Sequence, residues 1–324
     1  MRKRCFFLAL LLLTALLLTA CMRADVEQQP IQTDVVKPEV PQDLRTNDEG
    51  VPILKVYDVE SESIAEMDLE TYVTGVLAGE MRNDWPEEAL KAQAILARTF
   101  VLKFVETKDS QYEGADISTD VSEAQAYSEV NINENVRKAV EETRGMVMSY
   151  EGELPQAWFH AHAGGKTELP SVALEYKEED PAYLSVTDSP DSEDAPDNVK
   201  HWTATFDGEA FQKACADAGL STGLPQSVEI GETGESGRAK TLLVNGEAVS
   251  APSLRLQLGA NAMKSTLLDS VEVENGTVTM EGRGFGHGVG LSQWGAYGMA
   301  EDGAEAEEIV RHYFQNVDIV RLWE

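Results

Sequence analysis

The sequence predicts an α+β fold, with mixed helices and antiparallel hairpins around one core and room for a small lid subdomain. Three observations carry this. Two adjoining segments repeat apolar residues at helical spacing, two later segments place Asn-Gly between β-type runs, and no regular βαβ alternation of a doubly wound sheet appears. The chain has 324 residues, enough for one large domain or two smaller ones. Its 42% hydrophobic and 26% charged content excludes general disorder.

The elements follow in order. Ile53 to Tyr57 reads as a strand. Asp68 can cap a helix in which Tyr72, Val73, Val76, Leu77, Glu80 and Met81 recur every three or four residues. Pro86 opens a second helix, apolar nearly all round from Ala89 to Phe100, and so expected to be buried, its alanines allowing close backbone approach. A helix over Asn133 to Thr143 and strands at Met146 to Tyr150 and Ala157 to His160 come next, then a loop rich in Asp, Ser and Pro from Thr187 to Lys200. Asn245-Gly246 and Asn275-Gly276 mark two hairpins. A helix from Glu305 to Phe314 and a strand from Val317 to Trp323 close the chain, and the stretch 207–251 is the candidate lid.

The first residues give an address. Arg2, Lys3 and Arg4 precede an apolar run of 16 residues, Cys5 to Ala20, shorter than the ~20 needed to span a bilayer but suited to a signal peptide. The run ends in Leu18-Thr19-Ala20-Cys21, which resembles the lipobox of bacterial lipoproteins, where the cysteine is lipidated. The expected division is residues 1–21 as lipoprotein signal peptide, 22–50 as a proline-containing tether, and 51–324 as the folded domain, anchored to the outer face of the cytoplasmic membrane. An uncleaved N-terminal anchor is the alternative, and both readings place the domain outside the cytoplasm. Net charge is −31, from 57 acids against 26 bases, which argues against nucleic acid as a partner. Of three cysteines only Cys215 falls in the folded part, so a disulfide or thiolate zinc site is excluded there.

Two constellations carry chemistry. From Gly282 to Gly298, 7 of 17 residues are glycine, outside any nucleotide-loop register. Glycine costs about 0.5–1 kcal/mol relative to Ala in regular structure, so such density belongs where the backbone takes positive φ or lets a ligand come close. Between the glycines stand His287, Ser292, Gln293, Trp294 and Tyr297, the hydrogen-bonding and flat aromatic groups that bind sugars, although a tight structural loop around a core Trp is the plainer reading. The second constellation is Glu80, a carboxylate on a helix face of Tyr72, Val76, Leu77 and Met81. Desolvation there raises its pKa from ~4.3, as an acid catalyst of glycosidic cleavage requires. The alternatives are a solvent-facing Glu80 or one paired with Arg82 or Arg98. His160-Ala161-His162, with His287 or His201, sketches a three-nitrogen metal site, but strand histidines more often bond structure or substrate, and no metal is expected.

These segments together resemble the SpoIID/LytB family. The resemblance rests on Leu69 to Met81, Glu88 to Thr99, Gln125-Ala126-Tyr127, His160 with Gly164 to Glu168, Tyr183 to Val186, and Gly284 to Ala296, and it covers roughly residues 51 to 324. It implies a peptidoglycan lytic transglycosylase, acting on glycans stripped of stem peptides by a partner amidase during engulfment in endospore formation. Glu80 matches the family's catalytic acid, and Arg98 a position the family also needs. His160, Tyr183, His287, Ser292, Gln293 and Trp294 match substrate-binding positions. No cofactor is implied, since Ser118 and Ala124 stand where some members carry zinc-binding cysteines. A non-catalytic activator of a cell-wall amidase is the rival reading.

Overall fold

The computed structural model describes residues 36–324; the leader, Cys21 and the first part of the tether lie outside the described residues. Strands β1 (Arg45–Thr46), β2 (Pro52–Asp58) and β3 (Ser63–Asp68) pair antiparallel in that order, and β4 (Ile117–Ser118) adds to β2 in parallel. The domain therefore begins before Val51. Residues 36–50, read as tether, are held to it by buried Pro38 and Leu44, by β1 on β2, and by Ser149 Oγ donating to the Val36 carbonyl.

Asp68 ends β3 and caps α1 (Leu69–Glu80), accepting from Thr71 N–H at 2.9 Å. Helix α2 (Glu87–Thr107) runs seven residues past Phe100 because Val101, Leu102 and Phe104 continue its apolar periodicity into the core. It is the spine of the domain. One side of it packs on α1 and α3 (Glu134–Glu142); the other meets β5 (Met146–Ser149) and the C-terminal helices. Ala89, Ala92, Ile95 and Leu96 are fully buried on that second side, where small side chains permit the close approach expected of them.

Beyond β6 (Phe159–His160) the chain forms two single-turn helices, α4 (Pro170–Ala173) and α5 (Asp197–Lys200), the latter inside the loop read from 187 to 200. Strand β7 (His201–Asp207), α6 (Gly208–Asp217), the sheet β8 (Val228–Ile230), β9 (Thr241–Val244) and β10 (Glu247–Ser250), and α7 (Ala251–Leu258) then lead into the hairpin β11 (Leu268–Glu274) and β12 (Thr277–Arg283). Both Asn-Gly turns have positive φ at each central residue, 52° and 85° at Asn245-Gly246 and 49° and 79° at Asn275-Gly276, as primed hairpin turns require. Residues from Trp202 to Met280 share a separate hydrophobic core that includes Phe211, Cys215, Leu242 and Leu254. This subdomain is wider than the 207–251 stretch because β7 returns to pair with β12.

Strand β13 (Leu291–Ser292) pairs in parallel with β6, and the chain ends in α8 (Gln293–Glu301), α9 (Ala306–Tyr313) and β14 (Asp318–Arg321), which pairs with β5. The glycine-rich stretch is thus loop only as far as Gly290. From Gln293 it is helix, since Gly295 and Gly298 let Tyr313 and the Pro190 carbonyl lie against the helix backbone. Among the described residues no helix is long and apolar enough to cross a membrane.

Candidate functional site

Glu80 closes α1 and is only partly exposed. Its Oε1 accepts the backbone N–H of Ala126 at 2.6 Å. That contact depends on Gly79: a Cβ there would stand 2.6 Å from the Ala126 carbonyl carbon and the Tyr127 nitrogen, so no side chain fits between helix and strap. The Tyr127 ring lies over Gly75 in the same way and stacks at 5.6 Å on Tyr72, whose hydroxyl donates to the Ser118 carbonyl. The segment 125–127 therefore straps the end of α1.

Burial raises the pKa of Glu80 above the usual carboxylate value; the Ala126 N–H and the nearby Gln293 side chain oppose that shift without cancelling it. Neither predicted ion pair forms. Arg82 pairs with Asp84 at 2.8 Å and Arg98 with Glu70, and Glu80 has no ion-pair partner among the described residues. Its carboxylate borders a recess of about 350 Å³ shared with Met81, Arg82, Asn83, Asp84 and Asn131. Gln293 approaches the Glu80 carboxylate from the first turn of α8, and its Nε2, although close enough to favour the charged carboxylate, has no partner at hydrogen-bonding geometry among the described residues.

The start of α8 is built to hold Gln293 there. Ser292 is the N-cap, accepting from Gly295 N–H at 3.2 Å and donating to Asp191 Oδ1 at 2.5 Å. Asp191 also accepts from Ser189, Ala163 and Gly165, and lies 3.4 Å from His162 Nδ1. Trp294 packs with Trp85 at 4.5 Å and Tyr297 at 5.2 Å, an aromatic cluster joining α8 to the turn after Glu80. Sequence reasoning missed Trp85 and Asp191; the latter sits in Ser189-Pro190-Asp191, inside a stretch whose composition reads only as loop.

His160 and His287 face each other at 5.6 Å beneath the glycine-rich loop, where every second residue from Gly284 to Gly290 has positive φ. His160 Nδ1 lies 3.1 Å from the Val289 carbonyl, and His287 Nδ1 accepts from Val289 N–H at 3.0 Å. Burial and the nearby Arg238 cation hold both rings neutral, His287 down to about 3. His162 Nδ1 accepts from Gly164 N–H, so the histidines spend ring nitrogens on the backbone instead of converging as a three-nitrogen set. Arg238, also unforeseen, is fully buried against Gly288 and donates to the Ala163 carbonyl, tying the subdomain to the loop.

Two assigned residues are elsewhere. Arg98 has no exposed surface; Nε and Nη2 grip Glu70 at 3.1 and 2.7 Å, and Nη1 donates to the carbonyls of Ala94 and Met146. With those contacts made and no exposed surface, Arg98 is a clamp of the core. Tyr183 is buried, its hydroxyl accepting from Gln156 N–H at 2.8 Å, and it lines a different groove at the far end of α2.

The fold and site thus define an α+β domain with one unpaired, partly desolvated helix carboxylate set beside a glycine-rich, aromatic loop. A family model described as Stage II sporulation protein matches residues 57–150. The chain is 32% identical over 282 residues to Stage II sporulation protein D of Bacillus amyloliquefaciens, covering 82% of this chain and 77% of that one. It is 31% identical over 283 residues to Stage II sporulation protein D of Bacillus subtilis (strain 168), covering 82% and 78%. An amidase enhancer of the same strain is 27% identical over 287 residues, 74% of this chain and 39% of that protein. The chain belongs to the SpoIID family.

Proposed function

We propose that this protein is a peptidoglycan lytic transglycosylase that serves the cell wall during sporulation. Glu80 protonates the oxygen between N-acetylmuramic acid and the next N-acetylglucosamine as that bond breaks. The resulting carboxylate takes the proton of the muramic 6-hydroxyl as its oxygen bonds to C1, leaving a 1,6-anhydro end. One carboxylate suffices, because a nucleophile tethered within the substrate has a high effective molarity and needs no positioned water. The observation that carries this reading is the Glu80 carboxyl itself, its pKa raised by burial, free of any ion pair among the described residues and adjacent to Gln293. The test is digestion of purified, peptide-free glycan strands with mass analysis of the fragment ends. Release of anhydro-ended fragments should fall ~10²-fold or more in Glu80→Gln.

The similarity to the amidase enhancer favours a second reading, a non-catalytic wall protein that activates a partner amidase. On that reading neither the parent nor Glu80→Gln releases fragments, and added amidase becomes faster in the presence of both. Either role requires export, for which we propose the leader ending at Cys21, with a lipid anchor on the outer face of the cytoplasmic membrane. Radiolabelled palmitate should enter the parent chain and not Cys21→Ala; equal labelling of both would refute the anchor.

A further inference from the structure

A groove of about 740 Å³ lies at the C-terminal end of α2, larger than the recess at Glu80 and separate from it. At a rise of ~1.5 Å per residue, α2 puts roughly 24 Å between Glu87, next to the turn that follows Glu80, and the groove-lining Lys103. Four aromatic rings line it. Trp158 and Tyr176 meet edge to face at 5.5 Å, and Tyr150 and Tyr183 are tilted together at 5.0 Å. Trp158, Tyr150 and Tyr176 are half-buried, so they are fixed yet still present surface to the groove.

The charges around these rings are balanced. Lys103 is taken up by Glu106 at 2.7 Å and Lys108 lies over the Phe104 ring at 5.7 Å, while Glu153 and Glu178 line the groove as acceptors and Gln156 as an amide. With two lysines and two glutamates spread around the rings there is no cluster of one sign for a multiply charged ligand, and a chain of net charge −31 repels phosphates in general. A neutral, hydroxyl-rich ring with an apolar face is what rigid aromatics and a few polar groups accommodate. The wall of the groove is also coupled to the site, since the Trp158 carbonyl accepts from Leu291 N–H at 3.1 Å, two residues before Gln293.

We propose that this groove is a second carbohydrate subsite, which holds a neutral N-acetylglucosamine ring of the glycan strand several rings from the bond at Glu80. It rests on the reading that glycan strands are the substrate class. Two linked subsites act as one multivalent site, so long strands bind more tightly than short ones without new contacts at Glu80.

The experiment titrates the exported domain with the β-1,4-linked hexamer of N-acetylglucosamine, read by calorimetry and tryptophan fluorescence. Tyr176→Ala and Trp158→Ala should each weaken hexamer binding about tenfold or more, since each removes a rigid apolar face from the groove, and Trp158→Ala should also abolish the fluorescence change. Thermal melts separate misfolding from lost contact, and Tyr176→Phe, which keeps the ring, should bind like the parent. Unchanged hexamer affinity in folded Tyr176→Ala and Trp158→Ala overturns the subsite, as does displacement of the hexamer by a stem peptide at equal concentration. If ring-dependent binding is found with no strand cleavage by the parent, the subsite stands and the role given to Glu80 falls; cleavage without ring-dependent binding is the reverse.

Discussion

The backbone N–H of Ala126 meets Oε1 of Glu80 at 2.6 Å because Gly79 leaves no side chain between them. Replacing Gly79 sets two effects against each other. Alanine gains up to about 1 kcal/mol of helix propensity, but its Cβ would sit 2.6 Å from backbone atoms of Ala126 and Tyr127, and overpacking of that kind costs about 1–3 kcal/mol. The clash wins. Gly79→Ala should lower the melting temperature and cut glycan release tenfold or more by displacing the strap; a variant as stable and active as the parent would show that the strap does not set the site.

The direction of the Glu80 shift predicts a pH-dependent stability. A carboxyl whose folded pKa is raised stabilises the fold while protonated, below its unfolded value near 4.3, and that contribution is lost as pH rises through the folded pKa. Glu80→Gln keeps an oxygen for the Ala126 N–H and removes the titration. Its melting temperature relative to the parent should therefore climb as pH is raised from below 4 toward 8 and then level off. A difference that is flat with pH, or that falls, contradicts a desolvated Glu80.

What the sequence disclosed was mostly local. The Asp68 cap, the Asn-Gly turns and the apolar spine of α2 are each set by neighbours a few residues away, and they stand where their side chains predict them. Strand β3 gave no signal, since as an edge strand it exposes Ser63 to Glu66 on both faces. In the site, Glu80 was legible because an acid on an apolar helix face is anomalous, whereas its partner is a backbone N–H 46 residues on, which no residue type announces. The place of Arg98 was not legible for a related reason: the resemblance marks the position, but the Glu70 carboxylate that it grips stands 28 residues earlier on another helix.

That pair makes a prediction of its own. Arg98 is sealed in the core, and removing it leaves Glu70 buried with, among the described residues, only Trp323 Nε1 at 2.8 Å and Gly145 N–H at 3.0 Å as donors. Breaking a buried ion pair from one side costs about 3–5 kcal/mol, whereas replacing both partners with apolar residues of similar volume often recovers much of it. Arg98→Met should thus lower the urea midpoint strongly, and adding Glu70→Leu should restore part of the loss. If Arg98→Met keeps parental stability but loses strand cleavage, Arg98 belongs to the site after all.

The neutral histidines govern behaviour in acid. His160, His162 and His287 all have folded pKa values below the ordinary 6.5, burial being the first cause in each case, with His287 at about 3. A group with a depressed pKa contributes stability that is present above its unfolded pKa and is lost as pH falls toward the folded value, because only the unfolded chain takes up the proton in that window. Stability should therefore decline from pH 6.5 downward, beginning well above the range in which carboxylates titrate. Each such histidine adds at most about 1.4 kcal/mol per pH unit to the slope. His287→Gln keeps a polar side chain and removes one titrating group, so denaturant titrations at pH 6.5, 5.5 and 4.5 should give a shallower decline than the parent by up to that amount. A slope unchanged by the substitution would mean that His287 is protonated in the fold, and that the loop above it opens to water near neutral pH.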